Sequence, residues 1–144
     1  MEHGGNGRTA LIVGGSRGIG RAIALRLARS GFDTWVTYRG NRAAGESVNE
    51  AIEGIGRSCA TLAFDVSDFE ETRAALEQRS EERPPDAVVF NAGITRDNLL
   101  MWMSKEDWDA VLSTNLDGFY NVMRSVLFSM LRVRRGRIVT VSSA

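Results

Sequence analysis

The stretch Thr9–Ala24, TALIVGGSRGIGRAIA, decides the fold. An apolar strand runs into three spaced glycines, Gly14, Gly18 and Gly20, and then into an amphipathic helix. Glycine at such a turn lets the backbone approach a ligand closely, and a helix start offers free amide N–H groups and a positive dipole end to an anion. In a βαβ unit that anion is most often the diphosphate of a dinucleotide. The spacing is G-x-x-x-G-x-G and matches the G-x-G-x-x-G fingerprint only approximately. A tight turn with no ligand is the competing reading.

Outward from this stretch, strand-like runs alternate with helix-period segments. Strands are expected at Ala10–Val13, Thr34–Tyr38, Ser58–Phe64, Ala87–Phe90 and Arg137–Val141. Several are almost continuously apolar, as in parallel sheets covered on both faces. In the first helix Ile19, Ile23 and Leu27 recur at i, i+4, i+8, with Arg21, Arg26 and Arg29 off that stripe, and Gly31 stops it. A second helix is expected over Ala43–Ile55, ending at Gly56. A third starts from a Ser67/Glu70 capping box and ends before Pro84-Pro85. A fourth starts from Ser104/Asp107 and runs, with a bend near Gly118, to about Arg132. Strict alternation predicts right-handed crossovers and an α/β, Rossmann-like, doubly wound parallel sheet of order 3-2-1-4-5. Residues 1–7 are a flexible leader and 8–144 one domain. At the carboxyl edge the glycine turn, the loop after Tyr38, Asp65-Val66, Asn91-Ala92-Gly93 and Ser142-Ser143 converge, as a dinucleotide site requires.

Composition narrows the classes. The 144 residues carry 18 Lys plus Arg against 18 Asp plus Glu, without the basic excess of a nucleic-acid binder. Cys59 is the single cysteine, so neither an internal disulfide nor a cysteine metal cluster is available, and it reads as core packing. His3 is the single histidine, which argues against a His-based zinc site or catalytic triad; no metal is expected. No apolar run approaches membrane-spanning length and the polar start has no signal-peptide core, so a cytoplasmic protein without a membrane partner is expected. Trp102 and Trp108, with Met101, Met103, Met123 and Met130, read as packing residues.

With these loops placed, the chain from Arg8 to Ala144 resembles the short-chain dehydrogenase/reductases. Gly14-x-x-x-Gly18-x-Gly20, Asp65-Val66, Asn91-Ala92-Gly93 and Asn115 carry the resemblance in order. The stretch Asn91–Val122 followed by GRIVTVSS is similar to the bacterial 3-oxoacyl-[acyl-carrier-protein] reductases, which reduce a β-keto thioester with NADPH. That resemblance implies an oxidoreductase of fatty-acid-type biosynthesis, with NADP(H) as cofactor, an acyl-carrier-protein-bound 3-oxoacyl substrate and a homo-oligomer.

The resemblance also implies roles. Ser16, Arg17, Gly18 and Ile19 would cradle the phosphates through backbone N–H groups. Arg39 falls where NAD-preferring members place an acid, and with Arg17 it would favour a 2′-phosphate; the alternative is a solvated loop arginine. Asp65 would accept from the adenine amino group with Val66 against the ring; the alternative is a polar lead-in to the third helix. Asn91, Ala92 and Gly93 would let the backbone pass the nicotinamide ribose, unless they form an ordinary turn. Asn115 would hold a relay water, or bond a neighbouring carbonyl. Ser143 would hydrogen-bond the substrate carbonyl, one register step from Ser142. Arg132, Arg134 and Arg135 form a basic cluster read as lying near the mouth of the site. Arg134 falls at the carrier-docking position, with Arg135 beside it, unless the cluster only suits a helix C-terminus.

Departures from the family pattern bear on activity. The family's Tyr-x-x-x-Lys proton donor pair is absent from these residues: Tyr38 and Tyr120 are followed four positions on by Arg42 and Arg124. Val13 replaces the threonine that usually precedes the first glycine, and Phe90 stands where many members have a second asparagine. The expectation is a chain truncated after its fifth strand, holding the cofactor half, with doubtful activity alone. A non-catalytic nucleotide-binding module is the alternative, and an interaction protein using the open edge strand is a third.

Overall fold

The computed structural model describes residues 7–142. Five strands form one parallel sheet: β1 (Arg8–Val13), β2 (Phe32–Tyr38), β3 (Cys59–Ala63), β4 (Ala87–Phe90) and β5 (Arg137–Thr140). Their order is β3-β2-β1-β4-β5, as expected from the alternation. The helices are α1 (Gly18–Arg29), α2 (Arg42–Gly54), α3 (Phe69–Glu82), α4 (Lys105–Leu112) and α5 (Gly118–Val133). Because successive strand residues face opposite sides, β1 serves two cores. Leu11 and Val13 join Leu76, Phe90, Val122 and Val126 under α3 and α5. Ala10 and Ile12 join Ala24, Ala28, Val48 and Ile52 under α1 and α2. The register brings β1, β2 and β4 to one carboxyl edge, with Ile12 opposite Val36 and Val13 opposite Phe90.

Several local expectations change. In α1 the buried line is Gly20, Ala24 and Ala28, whereas Ile19 is 63% exposed and Ile23 and Leu27 only flank the core. Small side chains on that line let the helix lie close to the sheet. The cap of α3 is Asp68, accepting from the Glu71 amide, while Ser67 turns its hydroxyl away from the helix start and donates both that hydroxyl and its N–H to the Asp65 carboxylate. Ser104 does cap α4, accepting from the Asp107 amide. The expected bend near Gly118 is instead a π-helical turn over Ser113–Asp117. Gly118 is glycine because a Cβ there would lie 2.9 Å from Val66. Met123 and Met130 are core, but Trp102, Met101 and Trp108 are exposed on and after a 3-10 turn at Leu100–Trp102. No helix among the described residues is long and apolar enough to cross a membrane.

Candidate functional site

The glycine turn is built by three neighbours. Gly14 sits at φ +78, where a side chain is strained, and a Cβ would come 2.9 Å from the backbone of Ala92. Gly18 also has positive φ, at +55, so the chain reverses into α1 without strain. Gly20 serves close approach: a Cβ there would lie 2.0 Å from the Gly14 carbonyl oxygen. On the other side, Asn91 Nδ2 donates to that carbonyl at 3.3 Å, and the Asn91 N–H bonds the Val13 carbonyl at 3.0 Å. Helix α1 therefore opens directly above the ends of β1 and β4.

That opening is uncapped. Asn41, Asp68 and Ser104 close the starts of α2, α3 and α4 with side-chain oxygens, whereas Arg17 makes no capping bond to α1 and no acid stands in its first turn. The first amides of α1 are thus left for an anion. They face a cavity of about 480 Å³ whose lining includes every residue expected to bind cofactor, Gly14, Ser16, Arg17, Gly18, Ile19, Arg39, Asp65, Val66, Asn91, Ala92 and Gly93, except the packing glycine Gly20.

At the far end of this cavity Arg39 pairs with Asp65 at 3.2 Å. Burial alone would raise the Asp65 carboxyl, but the two Ser67 hydrogen bonds and the Arg39 charge outweigh it and hold it below the usual carboxylate range. Asp65 is therefore an anion ready to accept, and Arg39 is a cation at the pocket rim with its side chain 73% exposed.

Asn115 lies in the π turn, a distortion that places side chains no regular helix would present. Its Oδ1 accepts the Ile94 N–H at 2.9 Å and its Nδ2 donates to the Ile94 carbonyl at 3.2 Å. It therefore pins the loop after β4, through a partner 21 residues away rather than a local helix carbonyl. Asn115 also lines a second cavity of about 630 Å³, which shares Ile19, Gly93 and Ile94 with the first and reaches Thr140 and Ser142. Ser143, expected to contact substrate, lies outside the described residues.

The arginine cluster does not border either cavity. Arg135 bonds Asp86 at 2.7 Å, directly before β4, and Arg137 starts β5 opposite Ala87. Arg134 ends α5 in a left-handed conformation beside it. Both arginines thus sit at the amino end of the sheet, because the α5-to-β5 connection must return there before a parallel strand can begin. Sequence reasoning missed Thr37, Tyr38, Phe64, Ile94 and Thr114 as lining residues. The first two end β2 beside the glycine turn, so sheet order alone was enough to nominate them.

A parallel 3-2-1-4-5 sheet with a glycine turn over its switch point defines a Rossmann-like α/β domain. The short chain dehydrogenase family model matches residues 8–144, and the chain belongs to that family. Similar curated proteins are named 3-oxoacyl-[acyl-carrier-protein] reductase FabG. The one from Aggregatibacter actinomycetemcomitans is 47% identical over 137 residues, covering 94% of this chain and 57% of that protein. Those from Staphylococcus aureus and Pseudomonas aeruginosa are 42% identical, each with 56% of its own length covered. The chain therefore spans just over half the length of the curated relatives it matches.

Proposed function

We propose that this chain is the cofactor-binding portion of an NADPH-dependent reductase of 3-oxoacyl thioesters carried on acyl carrier protein. The carrying observation is the uncapped start of α1, opening on a pocket that Arg17 and Arg39 flank. The cradle fits a dinucleotide: Gly14 and Gly20 leave no room for a Cβ and so pack the start of α1 tightly on the glycine turn. Gly18, which lines the pocket with nothing within 4 Å of a Cβ position, leaves the approach to the α1 amides open for a diphosphate. Arg39 would hold a 2′-phosphate, Asp65 and Val66 the adenine, and Asn91, Ala92 and Gly93 the nicotinamide ribose. When bound, the nicotinamide supplies a hydride.

The chain's own residues then bind and orient. Ile94, pinned by Asn115, would form the wall between the two cavities, and Ser143 would steady the substrate oxygen as charge develops on it. The relatives' names support the carrier-bound substrate; Arg134 and Arg135 do so only as exposed cations away from the pocket. A second copy is part of this reading, supported by exposed Tyr120, Phe128 and Leu131 on α5, as is a cytoplasmic setting. Nucleotide binding without catalysis is the second reading, supported by the same uncapped start of α1 and its glycine cradle.

NADPH fluorescence titration of the 144-residue chain tests both. Saturable binding is expected, and its absence overturns both. Acetoacetyl thioester turnover separates them: robust reduction would exclude the non-catalytic reading.

A further inference from the structure

We propose that Thr37, at the end of β2, is a positioning residue that holds the glycine turn in the shape the diphosphate needs. This rests on the dinucleotide reading above. The Gly14 N–H donates to the Thr37 hydroxyl oxygen at 3.1 Å, and the Gly15 N–H donates to the Thr37 carbonyl at 3.1 Å. Thr37 is 2% exposed and lines the pocket. The residue before the turn, Val13, is fully buried hydrocarbon and has nothing to bond the Gly14 amide. The polar tie must therefore come from the neighbouring strand.

Gly14 is thus held on both sides, its N–H by β2 and its carbonyl by Asn91 at the end of β4. A part-buried amide that loses its protein acceptor seeks another, and the turn meets that demand by rotating. Rotation would turn the first amides of α1 away from the phosphate site. Apparent affinity then falls with the fraction of molecules that keep the binding shape.

The test compares T37V and T37S with the wild-type chain, using NADPH and 2′-AMP as probes. The second probe has no diphosphate and reaches the Arg39 and Asp65 end alone. In T37V the Kd for NADPH should rise about five- to tenfold, the equivalent of one hydrogen bond. T37S, which keeps the hydroxyl, should stay near wild type, and 2′-AMP should bind all three equally. Unchanged NADPH affinity in T37V overturns the proposal, as does equal loss of both ligands in both variants, which marks general damage. A wild type that binds no NADPH overturns the dinucleotide reading, and the role of Thr37 with it. If T37V fails to fold, hydrogen exchange at the wild-type Gly14 amide decides. Protection supports the bond, and exchange as fast as at exposed Gly40 overturns it.

Discussion

Replacing Gly20 by alanine tests the architecture most directly. The new Cβ would lie 2.0 Å from the Gly14 carbonyl oxygen and 2.8 Å from Asn91 Nδ2, where ordinary contact begins at 3.4 Å. The obstacle is backbone, held by Asn91 at 3.3 Å, so it cannot swing aside as a side chain would. The start of α1 must retreat by an ångström or more. Overpacking of this kind costs about 1–3 kcal/mol, against a gain of up to about 1 kcal/mol in helix propensity. A net loss of about 1–2 kcal/mol lowers Tm by roughly 2–8 °C for a chain of this size. Gly54→Ala is the control: it is exposed in α2 with nothing within 4 Å, so propensity alone acts and stability should hold or rise by up to about 1 kcal/mol. Thermal and urea unfolding measure both variants, and NADPH titration measures the turn. Wild-type stability together with wild-type NADPH affinity in Gly20→Ala would refute the close packing of α1 on the glycine turn, and with it the placing of the anion site.

Three further outcomes follow from the geometry. Arg39→Asp should reverse the cofactor preference from NADPH toward NADH by tenfold or more, since a charged hydrogen bond is worth about 1.5–3 kcal/mol; equal Kd ratios before and after would remove Arg39 from the site. Asn115→Ala frees both backbone groups of Ile94 and should cost about 1–2 kcal/mol while speeding hydrogen exchange at the Ile94 amide; an unchanged exchange rate would mean that Asn115 does not pin that loop. Burial works to raise the Asp33 carboxyl, but the Ser58 bonds, Arg83 and Arg57 outweigh it and keep it below the ordinary value. A depressed carboxylate stabilises the fold above its unfolded value of about 3.9, and that contribution is lost as pH falls through the lower folded value. Asp33→Asn should therefore flatten the acid limb of a stability–pH curve below about pH 5, and an unchanged limb would show that Asp33 does not govern it.

How much was legible depends on the range of the interaction. The strands announced themselves through runs such as Ala10–Val13 and Ala87–Phe90, buried almost throughout, and their alternation with helices gave the sheet order. The glycine turn was legible for the same reason: its demands on φ are local, and Gly14 and Gly18 meet them. The cap of α3 was misplaced by one residue because Ser67 and Asp68 are equally competent locally. A third residue, Asp65, decides between them by binding Ser67. The exposure of Trp102 and Trp108 was not legible, since composition reports only that an aromatic side chain prefers burial.

By itself, then, the chain's order of residues determined the α/β layering and the glycine turn, because periodicity and backbone sterics act over a few residues. Only the tertiary structure joined Thr37 to Gly14, Arg39 to Asp65 and Asn115 to Ile94. Only it carried Arg134 and Arg135 to the far end of the sheet. Those pairings span residues distant in sequence, and no local preference encodes which side chains a parallel register and a π turn will bring within hydrogen-bonding distance.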